Sequence, residues 1–246
     1  MEQISKVIHY VWMGRAPKSE LFNKCYESWK KFLPEYTIIE WNEDNFDINS
    51  NLYVKQAYEN KKWAFVSDYV RLYVIYNYGG IYMDTDVEVL KPLDRFLIHS
   101  AFSGFESETD IPTGIMAGVK GNKWYKELLS YYDDKTFIND KGEMDLTTNV
   151  VVITNITVKS YGLIRNGKFQ ELKDGLVIYP KEYFCPLDYI KFKNNSSKIT
   201  KNTYTIHHFA GSWHENSMNF RAKILSLLGE NIVLKLRKIR SFLSAK

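Results

Sequence analysis

The chain has 246 residues, 45% hydrophobic and 25% charged, the balance of a globular protein long enough for one sizeable core. A formal net charge of +4 is too small to point to nucleic acid, and two cysteines give neither a disulfide framework nor a metal-ligand spacing. The N-terminus lacks a charged-then-apolar leader and no apolar run approaches the ~18 residues of a membrane span, so a soluble chain of a reducing compartment is expected.

The first half alternates strands and helices. Residues 7–12 (Val-Ile-His-Tyr-Val-Trp) read as a strand ended by Gly14 and Pro17. Residues 20–32 have helical spacing, with Leu21, Cys25, Trp29 and Phe32 near one face, and Pro34 stops that helix. Residues 36–41 read as a second strand, and a helix apolar almost all round is expected from about Trp63 to Tyr78. Gly79-Gly80 caps it, and a short apolar strand then leads into Asp84-Thr85-Asp86. Such alternation predicts an α/β fold with a largely parallel sheet covered on both faces.

The second half is less regular. Residues 101–105 and 115–119 are predicted strands, 124–132 a predicted helix, and 149–161 mix β-branched residues with helical spacing. Residues 191–202 are polar and read as a loop. Residues 204–209 read as a late strand carrying His207-His208, and helices with a basic end follow Phe220. Without repeats or a low-complexity linker, the chain is expected to be one domain.

Two carboxylates one residue apart, where a buried strand ends, lie at the usual ligand crevice of an α/β sheet. They repel each other unless a cation joins them, and hard oxygen ligands suit Mn²⁺ or Mg²⁺. A bare D-x-D is equally a turn or cap, so the pair gains meaning from its context. Asp68 and Arg71 lie three apart in the apolar helix, where charges must be paired or bound to something. His207 and His208 point to opposite faces of their strand, so only one can join a given site. A neutral imidazole suits Mn²⁺ beside carboxylates.

Three blocks together resemble family thirty-two glycosyltransferases, the DXD group with bacterial capsular-polysaccharide transferases and yeast mannosyltransferases. They are residues 9–14 (His-Tyr-Val-Trp-Met-Gly), residues 64–71 running into Gly79-Gly80-Ile81-Tyr82-Met83-Asp84-Thr85-Asp86, and residues 207–213. The chain is more distantly similar to the catalytic domains of clostridial glucosylating toxins. The resemblance implies a GT-A fold: a Rossmann-like, mostly parallel central sheet flanked by helices, with a helical C-terminal tail. It implies one domain over 1–246, with a nucleotide-sugar half at 1–120, an acceptor region and C-terminal motif at 121–216, and basic helices at 217–246.

It also implies roles. Asp86 ligates Mn²⁺ (or Mg²⁺) with help from Asp84, which also contacts the donor, and His208 is the C-terminal metal ligand. Ser67, Asp68 and Arg71 line the donor sugar, and Val11 and Trp12 cradle the base with Trp12 stacking on it. Gly211, Ser212 and Trp213 meet the diphosphate. The implied activity is retaining, metal-dependent sugar transfer from a nucleotide sugar, a UDP-sugar first, to an oligosaccharide or lipid-linked glycan in bacterial capsule or cell-surface synthesis. With no carboxylate standing out as a nucleophile, front-face attack is favoured over double displacement; Glu106, Glu108 and Asp110 are the acidic residues considered for that place.

Two other readings compete. A haloacid-dehalogenase-type phosphatase also carries D-x-D after an apolar strand, but Glu88 stands where it has Thr or Val, and the pair falls deep in the chain. A non-catalytic sugar-binding module explains the aromatics but not Asp68 and Arg71. Residues 234–243 interleave Leu234, Ile239, Phe242 and Leu243 with Lys235, Arg237, Lys238 and Arg240. Such a helix can lie on an anionic membrane, placing the protein in the cytoplasm at the inner membrane face, or it can be a solvated terminal helix.

Overall fold

The computed structural model describes residues 2–111, 114–187 and 199–210. In chain order its elements are β1 (Val7–Val11), α1 (Glu20–Phe32), β2 (Thr37–Trp41), α2 (Leu52–Glu59), α3 (Trp63–Tyr78), β3 (Gly80–Met83), β4 (Val87–Val89), β5 (Ala101–Gly104), β6 (Ile115–Gly118), α4 (Lys123–Ser130), α5 (Asn149–Tyr161), β7 (Gln170–Glu171), β8 (Leu176–Tyr179), α6 (Lys181–Phe184) and β9 (Thr205–His207). The expected strands and helices of the first half fall where their patterns place them. Residues 149–161, ambiguous by pattern, are helical because their buried positions recur at helical spacing (Ile153, Thr157, Tyr161). The tail expected at 217–246 lies outside the described residues.

Seven strands form one sheet in the order β2-β1-β3-β6-β5-β8-β7. β1 pairs in parallel with β2 and β3, and β5 with β8, while β6 runs antiparallel between β3 and β5. With β7 antiparallel at the edge, five of the seven strands share one direction, giving the mostly parallel α/β sheet expected. Alternation along the strands divides two cores. Ile8, Ile81, Met83, Phe102 and Val177 pack with α1 on one face; Val11, Tyr82, Met116 and Ile178 pack with α3, α4 and α5 on the other. A separate ribbon, β4 paired antiparallel with β9, lies beside this sheet and matches Val87 with His207.

The join between α3 and β3 explains the double glycine. Gly79 has φ +70° and its N–H caps the helix on the Ile75 carbonyl. A Cβ on Gly79 would lie 2.8 Å from the Lys120 nitrogen, and one on Gly80 (φ +113°) 2.6 Å from the Val7 oxygen. Only glycine combines that backbone conformation with so close a strand approach. His9, fully buried on β1, locks the same corner: its Nε2 is 2.8 Å from the Gly79 oxygen, while its Nδ1 accepts from Trp41 Nε1 at 3.0 Å.

Candidate active site

β3 delivers Asp84 to the end of the sheet, where its N–H donates to the Gly114 carbonyl at 2.8 Å. Tyr82, two residues earlier and on the same face of the strand, donates its hydroxyl to Asp84 Oδ1 at 2.9 Å. Arg71 reaches the same oxygen from α3 at 3.2 Å, and Asp68 Oδ1 is also 3.2 Å from its Nη2. The guanidinium is 5% exposed, stacks over the Tyr82 ring at 4.7 Å, and donates to the Ser67 carbonyl and hydroxyl. One buried cation thus binds two carboxylates, the arrangement that a charge in an apolar helix requires. Burial pushes the Asp68 carboxyl up to about 6 against the opposing pull of Arg71.

Asp86 meets the ribbon. His207 Nε2 lies 3.2 Å from Asp86 Oδ1 and 3.9 Å from Asp84 Oδ2, while the Ala210 N–H donates to Asp86 Oδ2 at 2.8 Å. Burial would raise the Asp86 carboxyl, but the His207 charge and hydrogen bond, with the Ala210 N–H, bring it below its ordinary value. The same pairing holds the His207 imidazole well above its usual range, against burial, which lowers it. The His207 ring packs against Phe209 at a tilt of 33° (centroids 4.2 Å apart) and presses on Gly114, where a Cβ would lie 2.9 Å from its Nδ1.

Asp84, Asp86 and His207 each present one ligand atom, all within 4.8 Å of one another. Two hard carboxylate oxygens and an imidazole nitrogen fit a divalent cation of the Mn²⁺ or Mg²⁺ type. The histidine that meets the two aspartates is His207, not His208, where the sequence reading had placed the metal ligand. Adjacent strand residues face opposite ways, and the β4–β9 register puts His208 on the Glu88 face. There its Nε2 is 2.8 Å from Glu88 Oε2, an oxygen that also takes Lys24 at 2.7 Å.

Three donor residues differ in placement from the sequence expectation. Val11 is 1% exposed and belongs to the core, so its side chain offers nothing to a base. Ser67 is 3% exposed and faces Arg71, and Arg71 itself holds Asp84 from behind rather than opening to the crevice. Trp12 does border open space. Its N–H continues the β1–β2 ladder to the Trp41 carbonyl, its Nε1 donates to Ala16, and it lines a cleft with Arg15, Lys18, Glu40, Asn42 and Glu43. Gly211, Ser212 and Trp213 lie outside the described residues. Tyr82 and Gly114 were given no role from sequence, and His207 was weighed beside His208 without being chosen. Tyr82 had a signal in its i,i+2 spacing to Asp84; the other two depend on pairings that no local pattern contains.

Residues 19–103 match the family model described as a glycosyltransferase sugar-binding region containing a DXD motif. Inositol phosphoceramide mannosyltransferase 1 of Schizosaccharomyces pombe is 29% identical over 112 residues, 42% of this chain and 34% of the relative. Mannosyl phosphorylinositol ceramide synthase CSH1 of Saccharomyces cerevisiae is 25% identical over 202 residues, 76% of this chain and 47% of the relative. The chain therefore spans less than half the length of these curated relatives. Among solved structures, the PaToxG glycosyltransferase superimposes with a TM-score of 0.50 at 20% identity, covering 64% of this chain and 69% of that one. The likeness establishes the GT-A fold.

Proposed function

We propose that this relative of the DXD glycosyltransferases is a metal-dependent transferase that moves a sugar, with retention, from a nucleotide sugar to a glycan acceptor. The observation that carries the reading is the meeting of Asp84, Asp86 and His207 at the strand ends, with Arg71 and Asp68 buried behind them. When bound, a divalent cation there supplies charge neutralisation for the leaving diphosphate. The chain's own residues do the rest. Arg71 and Tyr82 fix the Asp84 carboxylate, the Ala210 N–H and His207 fix Asp86, and Trp12 offers a stacking surface for the base. The acceptor oxygen attacks from the face that the diphosphate leaves, which preserves configuration.

The donor class is a UDP-sugar, and the acceptor an oligosaccharide or lipid-linked glycan of bacterial capsule or cell-surface synthesis. These finer assignments rest on the resemblance to capsular transferases. The single-domain reading of 1–246 is part of the same proposal, as is a cytoplasmic site of action with the basic residues 235–240 against the inner membrane face. No helix among the described residues is long and apolar enough to cross a membrane.

The test is a hydrolysis screen of UDP-glucose, UDP-galactose and GDP-mannose with and without Mn²⁺. Release of the nucleoside diphosphate only with the metal is the expected result. Phosphate release from simple esters, with no nucleoside diphosphate freed, would move the protein to another class.

A further inference from the structure

One carboxylate at the mouth of the crevice has no part in the metal group. Glu106 lies two residues beyond β5, is partly buried, and its carboxylate accepts no hydrogen bond among the described residues. The site's other carboxylates are each engaged: Asp84 by Tyr82 and Arg71, Asp86 by His207 and Ala210, Asp68 by Arg71. The backbone fixes where Glu106 stands. The Phe105 N–H donates to the Tyr179 carbonyl at 2.9 Å, joining the end of β5 to that of β8, and the Glu106 N–H closes a turn on the Asp110 carbonyl.

Strand order then sets the order of subsites. Across the crevice the chain leaves β1 at Trp12, leaves β3 at Asp84, enters β6 at Gly114, leaves β5 toward Glu106 and leaves β8 toward Lys181. Neighbouring strands lie about 4.8 Å apart, so Asp84 is one spacing from Trp12 and the end of β5 is two, roughly 10 Å, further on. A nucleotide sugar with its base on Trp12 and its diphosphate at Asp84, Asp86 and His207 therefore extends its sugar toward Glu106. Burial raises the Glu106 carboxyl above its ordinary value, the charges of His207 and Lys181 oppose that rise, and those of Asp84 and Asp110 add to it. Glu106 is outside the set whose ligand atoms converge.

We propose that Glu106 faces the transferring sugar and stabilises the positive charge that develops at its anomeric carbon. The inference rests on the transferase reading above and adds a catalytic residue to it. The anomeric C–O bond breaks with its electron pair going to the diphosphate oxygen. The incoming hydroxyl or water forms the new C–O bond and passes its proton to that departing oxygen. Glu106 forms no covalent bond in this step; in its ionised form the partly buried carboxylate sets a negative charge toward the anomeric carbon.

The experiment uses the full chain and its Glu106→Gln and Glu106→Ala variants. Donor hydrolysis is measured with the same three nucleotide sugars, and Mn²⁺ and nucleoside-diphosphate affinity by calorimetry. Both variants are expected to lose about 100-fold in hydrolysis rate, the size found when one preorganised electrostatic group is removed. Both are expected to keep Mn²⁺ and diphosphate affinity within about threefold, the pattern of an interaction made only in the transition state. Unchanged hydrolysis would overturn the proposal. So would a loss of Mn²⁺ affinity matching the loss of rate, which would make Glu106 a support for His207. If the unaltered chain binds Mn²⁺ yet hydrolyses none of the donors, the transferase reading fails and this inference fails with it.

Discussion

The two halves of the Asp84, Asp86 and His207 cluster are built on different physics. The α3–β3 half is continuous in sequence and braced by buried charge: Arg71 reaches Asp84 across one helix-to-strand corner that Gly79, Gly80 and His9 lock. The β4–β9 half comes from more than a hundred residues away. It holds Asp86 by a histidine, one backbone N–H donated to its carboxylate, and the His208 N–H donated to its carbonyl. Damage to the first half should reach the fold itself. Damage to the second should cost metal affinity and rate while the chain stays folded.

The largest expected effect lies where the halves meet. Asp86→Asn keeps the shape of the side chain but removes a charge that the cation needs. Metal-dependent donor hydrolysis should fall at least about 1,000-fold, roughly 4 kcal/mol of barrier, with the melting temperature little changed. Near-normal turnover would remove Asp86 from the metal group.

Arg71→Met tests the buried half. Breaking a buried pair by deleting one partner costs about 3–5 kcal/mol, because the other charge is left uncompensated. Here two carboxylates would be stranded. Denaturant unfolding should show that loss, and the double variant Arg71→Met, Asp68→Asn should recover part of it. A stability loss well under 1 kcal/mol would mean that solvent, not Arg71, satisfies Asp84.

The histidine pair separates the ribbon's two faces. His207→Ala should weaken Mn²⁺ binding about 10–100-fold, while His208→Ala, which loses only the contact with Glu88, should change it little. The reverse order would return the metal role to His208. This pair also marks the limit of what the sequence can say. The block from Ser67 to Asp86 was legible because helix period, glycine cap and acidic pair are all local signals. The choice between His207 and His208 was not, because it depends on the register Val87 to His207 across a long connection. The same limit hid Gly114, whose part is to leave room for the His207 ring. The helical nature of 149–161 was hidden for another reason. Val150, Val151, Val152, Ile153 and Ile156 favour strand locally, and packing of Ile153, Thr157 and Tyr161 overrides that preference.

The smallest effect is a pH dependence in the corner that braces the first half. Burial lowers the His9 pKa below its ordinary 6.5, outweighing the Gly79 contact that raises it. The neutral ring is the form the corner needs, since Nδ1 must accept from Trp41 while Nε2 donates to Gly79. The folded pKa lies below the unfolded one, so at pH values between them the unfolded chain binds more protons, and stability rises with pH. The His9 contribution is therefore complete above about pH 6.5 and is lost as the pH falls through the folded value. Melting temperatures recorded from pH 8 down to pH 5 should decline across that window. In His9→Asn, which carries no titrating ring, the decline should be shallower even if the starting stability is lower. Equal slopes in the two proteins would mean that the acid sensitivity of the fold arises elsewhere, though not at Asp68, whose carboxyl pKa is raised by burial so that the folded chain binds the extra proton and gains stability on acidification.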